Sequence, residues 1–162
     1  MAESLQDNIQ NTATTIKLPP NSQEAEQSVL GGLMLNDQHW FDLVDILQPS
    51  DFYRNQHQLI YQAMIELANQ DEALDAVTVS EKLKSKAILE KAGGIEYLGQ
   101  LAESSTGASN VLAYARIIRE RSVLRQLIGA ANQIADSAFS TEGKDSETLL
   151  EKAEQAIFSI SE

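Results

Sequence analysis

Asn110 to Ser140, NVLAYARIIRERSVLRQLIGAANQIADSAFS, is the most informative stretch of this sequence about its fold. Apolar and small residues recur in it at intervals of three and four, which is the spacing of one helical face. These positions are Val111, Ala115, Ile118, Leu124, Leu127, Ile128, Ala131, Ile134, Ala135 and Ala138. The stretch contains no proline, and Gly129 alone costs a helix only about 1 kcal/mol relative to alanine. The pattern therefore predicts one helix of about 45 Å.

A short polar segment, residues 141–145, separates this helix from a second apolar-periodic run, residues 147–160. Asp145 stands where it can cap the second helix. The apolar stripe of that helix consists of Leu149, Leu150, Ala153, Ala156, Ile157 and Ile160. Two striped helices joined by a short turn indicate an antiparallel hairpin. A two-helix hairpin buries too little surface to offset its ordering entropy, so we expect a second copy or another protein to cover its outer face.

The chain before the hairpin shows helical segments and no alternation typical of a strand. Helices are predicted at residues 21–36, 40–47, 56–70 and 78–86, and a fifth begins at residue 95. Either Asn21 or Ser22 can cap the first helix, Asn21 as a capping box with Glu24, and Thr78 with Glu81 resembles a second capping box. The fold class is therefore all-α, a small globular head followed by an antiparallel two-helix hairpin.

We expect three segments along the chain. Residues 1–17 are polar and should form a loose tail. Residues 18–104 form the helical head, and residues 105–162 form a hinge followed by the hairpin. The hinge is predicted from the sequence SSTGAS at Ser104 to Ser109, which is rich in small residues.

Two adjacent glycines, Gly31 and Gly32, lie inside the first predicted helix and together cost it about 2 kcal/mol of helix propensity. A phosphate-binding loop would need GxGxxG or GxxxxGK[ST] after a strand, and the sequence contains neither motif. We therefore expect these glycines to serve packing of the head, with a neighbouring backbone close to the helix.

The sequence offers no arrangement suited to catalysis or metal binding. It contains no cysteine and two histidines, His39 and His57, and neither has partners at the spacing of a metal site or an activated nucleophile. His57 is expected to be partly buried and hydrogen-bonded. Clusters of carboxylates are expected to form solvated faces in so acidic a chain. We predict no catalytic residue, no cofactor site and no metal site in this chain.

The charge of the chain argues against nucleic-acid binding. The chain has 12 basic and 24 acidic residues, a net charge of −12, and a negative field repels phosphate backbones. Residues 1–109 hold 6 basic and 16 acidic residues, whereas residues 110–162 hold 6 and 8. An arginine cluster, Arg116, Arg119, Arg121 and Arg125, lies on the long helix near Glu120. We expect these arginines to form ion pairs within or between subunits rather than to contact phosphates.

No apolar run approaches the length needed to span a bilayer, and the N-terminus lacks the pattern of a signal peptide. The expectation from the sequence is a cytoplasmic protein without a membrane partner.

Five blocks of the sequence occur together in a characteristic order. They are PNSQEAEQSVLGGLML from Pro20, DFYRNQHQLIYQAM from Asp51, DAVTVSEKL from Asp75, AGGIEYLGQL from Ala92 and NVLAYARIIRERSVLRQLI from Asn110. In this order they resemble the N-terminal domain of the bacterial replicative DNA helicases of the DnaB family, and the resemblance covers about Leu18 to Glu162. It implies a helical head and a hairpin that join a hexameric ring. The N-terminal domains of that ring form a collar, a trimer of dimers, on which primase docks.

The resemblance also implies a motor, a RecA-like ATPase domain that uses ATP and Mg²⁺ and follows the hairpin. That ATPase domain is absent from this chain, which has no GxxxxGK[ST] motif. ATP hydrolysis and DNA unwinding are therefore expected of the full-length parent and not of this piece. A helicase loader is a further candidate partner. Residues 1–17 match no pattern of the family.

Four positions match the primase-contacting region of the family. They are Tyr97 in GGxxYL, Ile128 and Ile134 on the long helix, and Leu149 on the second hairpin helix. The resemblance implies that they contact primase or another subunit, and the alternative is that they hold the hairpin together, above all for Leu149. Two other hypotheses are a small enzyme, which the absence of a catalytic arrangement argues against, and an acidic helical adaptor that binds a partner helix and has no link to replication.

Overall fold

The computed structural model describes residues 17–105 and 110–160. The predicted tail before Lys17 and residues 106–109 of the predicted hinge lie outside these ranges. Within them the chain forms seven α-helices, one 3₁₀ helix at Pro49–Asp51 and no strand, which confirms the all-α class. The α-helices are α1 (Gln23–Leu35), α2 (Trp40–Val44), α3 (Asn55–Asn69), α4 (Ala76–Ser85), α5 (Gly94–Ser104), α6 (Val111–Phe139) and α7 (Ser146–Phe158).

One hydrophobic core joins α1 to α5 and the beginning of α6. Its largest fully buried side chains include Leu30, Phe52, Ile60, Tyr61, Leu98 and Ile118. The Tyr61 hydroxyl donates to the Leu47 carbonyl at 2.9 Å. Burial, and secondly the charge of Asp51, raise the pKa of Tyr61 above its ordinary value, so this hydroxyl stays a donor. On α6 the core ends at Ile118, and α7 contributes no buried residue. The hairpin therefore extends beyond the core of the head.

The two adjacent glycines allow α1 to lie directly against α5 and the start of α6. An ideal Cβ on Gly31 would lie 2.1 Å from the carbonyl oxygen of Leu101 in α5. An ideal Cβ on Gly32 would lie 2.7 Å from Cγ2 of Val111 at the start of α6. Neither distance leaves room for a side chain. Only glycine at these two positions therefore permits α1 to lie so close to α5 and α6.

The structure decides between the two caps predicted for the first helix, in favour of Ser22, and corrects the cap predicted for the fourth. Ser22 caps α1 by accepting from the Ala25 N–H at 3.2 Å, whereas the Asn21 amide donates to the Pro19 carbonyl at 2.9 Å. The predicted capping box of Asn21 and Glu24 is therefore wrong, because the Asn21 side chain is engaged by the chain before the helix.

The capping box predicted for Thr78 and Glu81 is also wrong. Asp75 caps α4, since its carboxylate accepts from the N–H groups of Val77 at 3.0 Å and Thr78 at 2.9 Å. Thr78 lies inside the helix, and its hydroxyl donates to the Ala73 carbonyl at 2.7 Å. An ionised carboxylate is a stronger acceptor than a hydroxyl, so the helix begins one turn earlier than predicted.

The hairpin follows its prediction closely. Helix α6 spans 29 residues without interruption. Asp145 caps α7 by accepting from the Thr148 N–H at 2.9 Å, as predicted. Hydrogen bonds from Thr148, mainly from its side chain and secondly from its backbone, hold the pKa of Asp145 below its usual range.

The helix predicted at residues 40–47 of the head is shorter than expected. Helix α2 ends at Val44, because the chain tightens there and the Ile46 N–H donates to the Leu43 carbonyl at 3.0 Å.

Candidate protein interaction surfaces of the hairpin

A buried carboxylate holds the long helix to the head. Asp51 accepts from Arg119 Nη1 at 2.8 Å and from Ser122 Oγ at 2.7 Å, and its other oxygen accepts from the Gln48 N–H at 2.8 Å. Arg125 adds a hydrogen bond to the Asp51 carbonyl. The predicted ion pairing of the arginine cluster therefore occurs within the chain for Arg119, whose partner belongs to the head. The hydrogen bonds of Asp51 to α6 fix the direction in which the hairpin leaves the head.

The hairpin carries large apolar side chains that this chain does not cover. They include Leu127, Ile128, Phe139, Leu150 and Ile157. Phe139 is 91% exposed and Ile128 is 47% exposed. A folded amphipathic helix normally buries its apolar stripe, yet α7 has no buried residue. The apolar surface of the hairpin is therefore available for a further protein surface.

One apolar groove lies where α6 leaves the head. It has a volume of about 550 Å³ and is lined by Lys17, Leu18, Pro19, Tyr53, Arg125, Ile128 and Gly129. The Arg125 guanidinium lies 5.4 Å from the centre of the Tyr53 ring and donates to the Pro20 carbonyl at 2.7 Å. An ideal Cβ on Gly129 would meet no heavy atom within 4 Å, so the groove is open at this point. The groove can accept an apolar side chain beside a fixed cation.

A second groove, of about 340 Å³, lies between the two hairpin helices. Its lining comprises Gln133, Ile134, Asp136 and Ser137 from α6 and Leu149, Lys152, Ala153 and Ala156 from α7. Ile134 and Leu149 thus line the same groove from opposite helices, and both are partly buried.

Tyr97 lies in the head, where its hydroxyl belongs to a buried network. The hydroxyl is 2.6 Å from His57 Nε2, and the two rings stack with centres 6.0 Å apart. His57 Nδ1 is 2.7 Å from Glu26 Oε1, and the Tyr53 N–H donates to Glu26 at 3.0 Å. His57 thus links the Glu26 carboxylate to the Tyr97 hydroxyl through its two ring nitrogens. His57 is hydrogen-bonded as predicted, and it is fully buried rather than partly buried.

The four candidate contact residues therefore occupy three places. Tyr97 lies in the head, Ile128 in the groove beside Arg125, and Ile134 with Leu149 in the groove between the helices. The sequence interpretation missed Phe139, although this residue follows Ala135 by four positions and so continues the apolar stripe. An aromatic residue at the last position of an amphipathic helix is the signal that would have indicated it. It also missed Asp51, whose partners lie 68 and 71 residues away.

Within residues 17–105 and 110–160, no group of three or more His, Cys, Asp or Glu side chains is arranged to hold a metal ion. In the same ranges, no helix is long and apolar enough to cross a membrane.

Known proteins resemble this chain in sequence and in structure. A model of the DnaB-like helicase N-terminal domain matches residues 18–120. The replicative DNA helicase DnaB of Haemophilus influenzae is 40% identical over 147 residues, which cover 91% of this chain and 31% of that protein. The chain thus spans about a third of the length of the curated relatives it matches.

Two solved structures share the fold. The N-terminal domain of DnaB helicase from Mycobacterium tuberculosis has a TM-score of 0.84 and 36% identity, over 88% of this chain and 99% of that one. The N-terminal domain of DnaB helicase from Helicobacter pylori, described together with its interactions with primase, has a TM-score of 0.60 and 28% identity. That match covers 71% of this chain and 89% of the other.

Proposed function

This chain belongs to the family of DnaB-like helicase N-terminal domains, and we propose that it serves in the collar of a hexameric replicative DNA helicase, where it mediates subunit assembly and primase docking. The observation that supports this proposal most is the uncovered apolar surface of the hairpin, including Phe139 and a helix α7 with no buried residue. None of the relatives named above is an acidic adaptor, so they do not support that alternative hypothesis.

Subunit assembly would bury the apolar stripe that a single chain leaves exposed. In a symmetric pair the same surface of both copies is buried, so each exposed side chain contributes twice. The groove at Ile134 provides a depression into which side chains of another hairpin can pack. We propose the dimer as the first step of assembly and the trimer of dimers as its result.

Primase docking is supported by the Helicobacter pylori relative, whose N-terminal domain was described with primase. We propose the groove beside Arg125 as the docking position on this chain, with Ile128 as its apolar anchor. A preformed apolar groove beside a fixed arginine has the character of an interface centre, where branched aliphatic and aromatic side chains are the usual anchors. Tyr97, Ile134 and Leu149 are proposed as additional contacts.

We propose that ATP and Mg²⁺ serve the RecA-like ATPase domain of the family. The sequence has no GxxxxGK[ST] motif, and the described ranges hold no metal-binding cluster. We assign nucleotide hydrolysis and DNA unwinding to that ATPase domain in the full-length helicase, which acts in the cytoplasm.

Replacing Ile128 with asparagine tests the docking part of the proposal. About half of this side chain remains exposed, so covering it contributes about 1 kcal/mol in a primase contact and would contribute about 2 kcal/mol in a symmetric pair. Primase binding should weaken by roughly 5- to 10-fold with self-association unchanged, whereas a self-association weakened by roughly 30-fold would assign Ile128 to the contact between copies. Sedimentation velocity with and without primase, beside thermal unfolding, provides the measurement.

Val77→Asn is the matched control, since Val77 is an exposed aliphatic residue on α4 of the head. It should leave self-association and primase binding unchanged. A fall in melting temperature of Ile128→Asn, with unchanged association of the folded molecules, would show that Ile128 serves only to pack the hairpin.

A further inference from the structure

The head has an exposed aromatic residue that the proposed assembly does not use. Phe41 is 80% exposed, although it stands next to the buried Trp40. It borders a groove of about 340 Å³, the Phe41 groove, lined by Asp37, Gln38, Trp40, Phe41, Ala68, Asp71, Glu72 and Leu74. This lining shares no residue with either groove of the hairpin. The Phe41 groove is therefore a separate surface.

The walls of the Phe41 groove are held by the core of the head. The Trp40 ring lies 5.6 Å from the ring of the buried Tyr61, and Leu74 is buried. The turn after α3 is closed by hydrogen bonds from the Asp71 N–H to the Ala68 carbonyl at 3.1 Å and from the Glu72 N–H to the Leu67 carbonyl at 3.0 Å. The groove is thus preformed, with the carboxylates of Asp71 and Glu72 on a fixed backbone.

The charge around Phe41 is negative and is not neutralised by neighbouring cations. The lining holds Asp37, Asp71 and Glu72 and no lysine or arginine. None of these three carboxylates forms a salt bridge within the described residues. Glu66, farther back on α3, pairs with both Lys82 and Lys86. Two lysines thus neutralise Glu66, whereas no salt bridge within the described residues neutralises Asp37, Asp71 or Glu72.

In sequence, the part of the chain that supplies the groove is acidic as well. Residues 18–81 contain 11 acidic residues and a single basic one, Arg54. Arg54 donates to Gln23 at 2.6 Å, and Asp42, next to Phe41, has His39 at 3.8 Å as its one salt-bridge partner among the described residues. Such a field attracts a positively charged partner and opposes a phosphate backbone or a second copy of the same acidic surface.

We propose that the Phe41 groove docks a short basic segment of a partner protein. An apolar side chain of that segment packs against the Phe41 ring, and flanking lysines or arginines pair with Asp37, Asp71 and Glu72. The exposed ring supplies the apolar contact and the carboxylates select the charge of the partner. Because this surface lies on α2 and the end of α3, the partner can bind while the hairpin takes part in assembly.

Fluorescence anisotropy with three labelled peptides tests this proposal. The first peptide alternates lysines with a central leucine, the second has serine in place of leucine, and the third has glutamate in place of every lysine. The first should bind the full chain most tightly and the third should not bind. Phe41→Ser should weaken binding of the first peptide about tenfold, close to the affinity of the serine peptide.

Two further variants separate this site from general charge attraction. Asp71→Asn with Glu72→Gln should weaken binding and flatten its salt dependence, because exposed charges act over a distance that salt shortens. Ile95→Ser removes a comparably exposed apolar residue on α5 and should leave binding unchanged. Circular dichroism confirms that each variant is folded, which is expected since all these side chains are exposed.

The proposal fails if the leucine and serine peptides bind equally, or if Phe41→Ser and Ile95→Ser lose the same affinity, since either result indicates non-specific attraction. It also fails if no peptide binds. Weaker self-association of Phe41→Ser in sedimentation, without peptide, would instead assign the groove to contacts between copies and would overturn the proposal.

Discussion

Replacing Gly31 with alanine tests the closest approach between two helices of the head. An ideal Cβ on Gly31 would lie 2.1 Å from the carbonyl oxygen of Leu101 and 2.9 Å from its carbonyl carbon. Carbon and oxygen atoms that are not bonded approach to about 3.3 Å. Helices α1 and α5 would therefore have to separate by about 1 Å. Because both clashing atoms are backbone atoms, no change of rotamer relieves the contact.

The size of the effect follows from two opposing terms. Overpacking of a core costs about 1–3 kcal/mol, and a clash between backbone atoms belongs at the upper end. Alanine in place of a helical glycine returns about 1 kcal/mol through helix propensity. The net loss is about 2 kcal/mol. In a domain of this size, 1 kcal/mol corresponds to about 2–4 °C, so the melting temperature should fall by about 4–8 °C.

Thermal unfolding followed by circular dichroism measures this change, and Gly99 provides the matched control. Gly99 lies in α5, and an ideal Cβ on it would meet no heavy atom within 4 Å. Gly99→Ala should therefore raise the melting temperature by about 2–4 °C through helix propensity alone. The same chemical change should thus have opposite signs at the two positions. A Gly31→Ala chain that melts at or above the wild-type temperature would refute the close contact between α1 and α5.

Three further predictions concern charged groups. Asp51→Asn should lower the free energy of unfolding by about 2 kcal/mol, because Arg119 loses its buried carboxylate partner. Urea unfolding measures this free energy, and an unchanged midpoint would contradict the prediction. The hydrogen bond from Lys86 lowers the pKa of Glu66. The wild type should therefore be more stable than Glu66→Gln at neutral pH, and this advantage should disappear as the pH falls through the lowered pKa of Glu66. If the difference in unfolding free energy stayed constant on acidification, the Glu66–Lys86 pair would not be its cause. The chain should not shift single-stranded DNA in a gel at physiological salt, because its net charge is −12, and a salt-dependent shift at micromolar protein would contradict this expectation.

The helices of the hairpin could be predicted from spacing, whereas the start of α4 in the head was predicted one turn late. The stripe of α6 and the cap at Asp145 depend on residues within about four positions of each other. At the start of α4, Asp75 and Thr78 both had the chemistry of a cap. The carboxylate of Asp75 is the stronger acceptor, and it takes the N–H groups of Val77 and Thr78.

The sequence suggested candidate contact residues but did not give their arrangement. Ile118 and Ile128 belong to the same periodic stripe, yet Ile118 is buried in the head and Ile128 lies in an open groove. Spacing identifies the face of a helix on which a residue lies, but it does not show how far along the helix the neighbouring elements extend. For the same reason the sequence indicated that the hairpin needs a covering surface but did not show the three separate places of its candidates.

Local chemistry was sufficient for the fold class, for the long helix and its turn, and for the negative charge that opposes nucleic acid, because each depends on neighbours in sequence or on composition. Tertiary packing was needed for the contact of Asp51 with Arg119 and for the buried Glu26–His57 pair, whose members are 68 and 31 residues apart. It was needed also for the exposure of Phe41 beside a buried Trp40. Helices distant in the chain create these environments, and their positions follow from the packing of the whole core.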